Sequence, residues 1–138
     1  LTTGKRAIDI ALQAELMGAY GAVVNAPTAT EVIRRMYNRI DIPIIATVVS
    51  ELDDYKGKLD AGARILNISG GPKTAKIVRQ IRNEYGKELP IIATGGPTDE
   101  SILKTIEAGA NAITYTPPSS AEIFADVMAK YRFDTENK

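Results

Sequence analysis

The chain has 138 residues and no net charge, with 44% hydrophobic and 25% charged residues and no cysteine, histidine or tryptophan. That length and balance fit one globular domain with a proper core, and the missing residue types exclude disulfides, thiol nucleophiles, imidazole bases and His-based metal sites. Even charge without basic runs speaks against nucleic acid and anionic membrane as partners, no apolar run reaches the ~18 residues of a membrane span, and without a signal-peptide pattern or cysteine a cytoplasmic protein is expected.

A helical pattern over residues 4–17 comes first, followed by a strand at Gly21–Asn25 and a helix over 28–38. Next come a strand at Ile44–Val49, a helix over 51–61, a strand at Arg64–Ser69 and a helix over 73–85. A strand at Ile91–Thr94, a helix over 98–108, a strand at Ala112–Thr116 and a helix over 120–131 complete the series, and Phe133–Lys138 reads as a polar tail. Continuous runs rich in Val and Ile predict strands covered on both faces. In the helix from Lys73, Ile77, Val78, Ile81 and Tyr85 share one face, while Lys76, Arg79 and Arg82 are expected to point to water. Thr28-x-x-Glu31, Ser50-x-x-Asp53 and Ser119-x-x-Glu122 resemble capping boxes, and Gly18, Gly62 and Gly109 stand where a glycine ends a helix. Alternation in such short units demands parallel strands with right-handed crossovers.

An internal repeat organises these elements. Residues 41–47 read DIPIIAT and residues 88–94 read ELPIIAT; the offset of 47 that pairs Pro43 with Pro90 also pairs Gly62 with Gly109. The copies run over 41–87 and 88–134, two βα units each, inside a single α/β domain spanning 1–138. Two architectures are compatible with five such units. One is the C-terminal part of a (β/α)8 TIM barrel, favoured by the quarter-barrel repeat, the leading helix and a start on Leu1 rather than Met. The other is a complete five-stranded doubly wound, flavodoxin-like domain, favoured by length. A partial barrel leaves the edges Gly21–Asn25 and Ala112–Thr116 unpaired and turns Val23, Val24 and Ile113 toward an unfilled interior, so a homo-oligomer is expected.

Sites in parallel α/β folds lie at the C-terminal strand ends. Gly95-Gly96 precedes the helix from Thr98, and Thr116, Ser119 and Ser120 precede the last helix; small residues at helix starts let backbone N–H groups approach an anion. These residues are the predicted phosphate-binding set, with Gly70-Gly71 and Lys73 as a lesser contribution. The alternative is that the glycines only make tight turns. Asn25, Thr47, Asn67 and Thr94 are candidate substrate contacts. No Asp, Glu or Lys lies within a predicted strand, so the catalytic candidates reduce to Asn67, Ser69 and Glu51, and an acid or base on strands outside this chain is expected. Glu51 also reads as dipole compensation in a first helical turn, and Asn67 as a turn residue satisfying backbone groups.

The stretch Leu89–Ser120, LPIIATGGPTDESILKTIEAGANAITYTPPSS, resembles the closing βαβ unit of phosphate-binding (β/α)8 barrels. That group includes keto-deoxy-phosphogluconate aldolases, sugar-phosphate epimerases and flavin-mononucleotide (FMN) oxidoreductases. The resemblance implies a phosphorylated small-molecule ligand held by Gly95, Gly96, Thr116 and Ser119, and chemistry of lyase, isomerase or hydrolase type. It departs in two places. Arg64–Ser69 lacks the aldolases' Schiff-base lysine, and Thr116-Pro117-Pro118 replaces the glycine-rich turn of the flavin enzymes. No cofactor is therefore required, although FMN stays open. The segment also resembles the end of cobalamin-binding domains, without their histidine. A non-catalytic module for a nucleotide-like, flavin or cobalamin ligand is the alternative function.

Overall fold

Strand and helix alternate throughout the computed structural model, which describes residues 3–115 and 120–136. Helix α1 (Lys5–Leu16) leads to β1 (Ala22–Val24), α2 (Thr30–Tyr37) and β2 (Ile44–Val48). Then follow α3 (Tyr55–Asp60), β3 (Ala63–Ile68), a 3-10 turn at Gly71–Lys73 and α4 (Thr74–Tyr85). The last elements are β4 (Ile91–Thr94), α5 (Asp99–Glu107), β5 (Ala112–Thr114) and α6 (Ser120–Glu136).

All five strands pair in parallel and in sequence order, β1-β2-β3-β4-β5. Units joined by short crossovers of one hand stack side by side. A doubly wound sheet reverses its strand order at a switch point, and this sheet does not, so the flavodoxin-like alternative falls.

The period of two along each strand decides what is buried. In β2, Ile44, Ala46 and Val48 are buried, while Ile45 and Thr47 on the other face are half-buried. Pairing carries the buried row across the sheet: Val24 to Ala46 to Leu66 to Ile91, and Val48 to Ile68 to Ala93 to Ile113. A register shift at Ile44/Ile45 skips Arg64, which lets Ala63 and Leu66 both join this face. Ile33 and Met36 of α2 and Ile77, Val78 and Ile81 of α4 complete the single core.

The other face carries Val23, Ile45, Thr47, Ile65, Asn67, Ile92 and Thr94, and Val23 is 61% exposed. The expectation of strands buried on both faces is thus corrected. The buried core lies on the helix-covered side, and the other face is only half-buried. Val24 and Ile113 turn to the helices, leaving Val23 alone of the three expected inward residues on the open face.

Several local expectations also shift. Gly18, Gly62 and Gly109 do end helices, with φ of 94°, 126° and 115°. Two predicted capping boxes do not form. Ala29, not Thr28, caps α2, and α3 starts at Tyr55 with Asp54 as its cap, its carboxylate accepting from Gly57 N. The box that does form joins Thr98 and Ser101 at α5. Phe133 lies within α6, which runs to Glu136, so the predicted polar tail is largely helical. Ser119 of the third predicted box lies outside the described residues.

Arg82 does not point to water. Its guanidinium donates to Gly109 O at 2.8 Å, Gly86 O at 2.9 Å and Leu89 O at 2.5 Å, and to Asn111 Oδ1 at 2.7 Å. The same Asn111 oxygen accepts from Ile91 N. One side chain thereby ties the end of α4 to the entries of β4 and β5.

Candidate functional site

The C-terminal ends of the strands present a row of uncharged polar groups on the open face. Thr47 and Asn67 are register partners, and Asn67 Nδ2 donates to Thr47 Oγ1 at 3.3 Å. Thr94 is the partner of Thr114, a residue that sequence reasoning left inside a strand without a role. Asn25 follows β1 and closes a turn by accepting from Thr28 N. Ser69 follows β3, is exposed, and donates its N–H to Val48 O. The fold therefore joins Thr47 to Asn67 directly and sets Asn25, Ser69 and Thr94 on the same rim. These hydroxyls and amides can hold a ligand by hydrogen bonds.

The glycine turns have packing reasons of their own. A Cβ on Gly95 would stand 2.5 Å from Ile113 Cγ2 and 2.8 Å from Ile102 Cγ1, and Gly96 takes φ 81°. Both positions thus need glycine whatever they bind. A Cβ on Gly70 would meet Ile77 Cδ1 at 2.5 Å, and Gly70 N donates to Thr74 Oγ1. Asp99 and Glu100 occupy the first turn of α5, where their charge complements the helix dipole and opposes an anion. The 3-10 turn and the start of α4 carry no acidic residue. Thr116 and Ser119 lie outside the described residues, while Ser120 opens α6 and is exposed.

Glu51 is tied down. Its carboxylate lies 3.0 Å from Lys76 Nζ and 3.8 Å from Lys73 Nζ, bridging the β2–α3 turn to α4. The hydrogen bond from Lys76 holds its carboxyl below the usual glutamate value; desolvation works the other way, and the charges of Lys76 and Lys73 add to the lowering. A carboxylate stabilised in this way is a poor general base near neutral pH. Lys73 likewise serves this bridge from an exposed position.

The ionisable residue that sequence reasoning missed is Lys58. It is 4% exposed, and its ammonium donates to Ala26 O at 3.0 Å, Thr47 O at 2.9 Å and Asp53 Oδ1 at 3.0 Å. The available signal was its spacing: Lys58 stands three residues after Tyr55, which is also buried, and so shares the inward face of a short helix. Among the described residues no cluster of acidic side chains is arranged to hold a metal ion. A cavity lined by Tyr37, Ile40, Pro43, Gly62 and Arg64 lies at the opposite, N-terminal ends of β2 and β3, where barrels hold stability rather than chemistry.

No family model and no curated protein matches the sequence. Solved structures do match in shape. A mandelate oxidase variant with a bound ligand superposes with a TM-score of 0.67 over 80% of this chain and 46% of its own, at 16% identity. Native KDPGal aldolase gives 0.61 over 84% and 53%, at 22% identity. Phosphonopyruvate hydrolase with oxalate and Mg++ gives 0.65 over 88% and 65%, at 16% identity.

The fold is that of a partial TIM barrel. The chain spans about half the length of the first two barrels and 65% of the third. At such identities the likeness is one of fold alone. Within a barrel, the open face of the sheet is the interior, and the row from Asn25 to Thr114 is the rim where barrel sites are built. No described helix is long and apolar enough to cross a membrane.

Proposed function

We propose that this chain is a portion of a TIM-barrel enzyme and contributes the binding wall for a phosphorylated small molecule. Thr47, Asn67 and Thr94 contact the substrate body, and the turns at Gly70-Gly71 and Gly95-Gly96, with Thr116, Ser119 and Ser120, receive the phosphate. The general acid or base comes from other strands of the barrel, and the chemistry is of lyase, isomerase or hydrolase type. An aldolase and a hydrolase among the structural neighbours agree with that range. The observation that carries the reading is the neutral polar row on the barrel-facing side of the strand ends, beside turns that lead into helices. In this portion by itself the edges at β1 and β5 are open, which favours association with a second copy.

A thermal-shift series with inorganic phosphate and ribose 5-phosphate tests the reading. A ligand at a hundredfold excess over Kd adds about 2.7 kcal/mol to stability, a shift of several degrees. Gly96→Ala should abolish the shift. Gly86→Ala, a control that also replaces a glycine of positive φ, should retain it. No shift with either probe, or a full shift in Gly96→Ala, refutes the proposal.

A further inference from the structure

We infer that Lys58 is a positioning residue for the rim of the proposed site, an assignment that rests on the reading of that rim as a binding wall. A lysine ammonium has three N–H donors, and here all three are used. Buried and paired with Asp53, it has no free donor for a ligand and no lone pair for a carbonyl carbon, so it does not restore Schiff-base chemistry. Its three partners belong to three separate segments. Ala26 lies in the β1–α2 loop beside Asn25, and Thr47 is the penultimate residue of β2, with its hydroxyl joined to Asn67. Asp53 lies in the β2–α3 turn that carries Glu51, and its second oxygen accepts from Val49 N at 3.0 Å.

One ammonium thus fixes the C-terminal part of β2 and the loops that follow β1 and β2 against each other. Buried ion pairs add little net stability because desolvation offsets attraction, but they demand a defined geometry. Loops at strand ends otherwise belong to the least stable parts of a fold. Lys58 supplies the order that hydrophobic packing does not give to polar backbone at this rim. The result is a fixed spacing between Asn25, Thr47 and Asn67.

Amide hydrogen exchange in Lys58→Met tests this with reporters already in place. Thr28 N and Val49 N hydrogen-bond within the clasped segments, whereas Leu66 N and Asn111 N bond across β3–β4 and β4–β5. Thr28 and Val49 should exchange about tenfold faster relative to Leu66 and Asn111, the effect of losing one or two buried hydrogen bonds. Equal acceleration of all four amides means a purely global structural role and overturns the proposal, as does unchanged exchange at Thr28 and Val49. If Lys58→Met does not fold, Asp53→Asn removes the charge partner with little change of shape and should loosen Val49 in the same relative way; unchanged exchange there counts equally against it. Ribose 5-phosphate should also shift folded Lys58→Met less than wild type, and an undiminished shift overturns the assignment. A wild type that binds no phosphorylated probe sinks the phosphate reading alone, because the exchange comparison needs no ligand.

Discussion

Replacing Arg82 by Met keeps the aliphatic stem of the side chain and removes four hydrogen bonds from its guanidinium. A hydrogen bond to a charged group contributes about 1.5–3 kcal/mol. The full sum is not expected, since Arg82 is only half-buried and its bonds to Gly86 and Asn111 lie where water can replace them. The bonds to Leu89 O and Gly109 O are the sheltered ones, and losing these two sets the expected cost at about 3 kcal/mol. That is a large share of the 5–15 kcal/mol that holds a typical domain together. Urea unfolding should show the midpoint falling by roughly 1–3 M with an unchanged slope, given m-values near 1–3 kcal/mol/M. Asn111→Ala should couple to Arg82→Met by about 1 kcal/mol in a double-mutant cycle, because one Asn111 oxygen serves both Arg82 and Ile91 N. A loss below about 1 kcal/mol for Arg82→Met would show that the guanidinium is solvated, as the helical pattern alone predicts, and would refute the clamp.

Two further outcomes follow from the same geometry. Gly95→Ala should cost about 1–3 kcal/mol in thermal unfolding through overpacking against Ile113 and Ile102, whereas Gly71→Ala meets open space and should cost about 1 kcal/mol for its left-handed φ of 60°; the reverse ranking would contradict the packing. In an NMR pH titration Glu51 should ionise below the usual glutamate value, and Lys76→Met should bring it back up. Because the folded-state value is the depressed one, its stabilisation is present above the unfolded-state value and fades as pH falls through the folded one. A Glu51 that titrates at or above the usual value would show that the bridge to Lys76 is absent in solution.

The polar rim was partly legible in sequence. Asn25, Thr47, Asn67, Ser69 and Thr94 were found because they are the polar residues at or near the ends of apolar runs, and in a parallel sheet the end of such a run is the rim. Thr114 was missed since β5 ends before the position where its run of sequence suggests. Glu51 was read as a base or a dipole partner because its lysines lie on another element, 22 and 25 positions along the chain. The glycine turns were read as anion loops, and the packing of Gly70 and Gly95 against isoleucines gives them a second reason to be glycine.

The sequence by itself determined the alternation of strand and helix, the parallel sense of the strands, and the glycines that end helices. These follow from local periodicity, short connections and backbone conformation, and each is written within a few residues. Only the tertiary structure decided the strand order that separates a barrel from a doubly wound sheet, and which of two adjacent residues such as Val23 and Val24 meets the helices. It alone revealed Lys58 and Arg82 as clasps. Their acceptors are mostly backbone carbonyls, at Ala26 and Gly109 respectively 32 and 27 positions away. Every residue carries such a carbonyl, so the side-chain sequence holds no mark of which one a buried cation will find until the chain has folded.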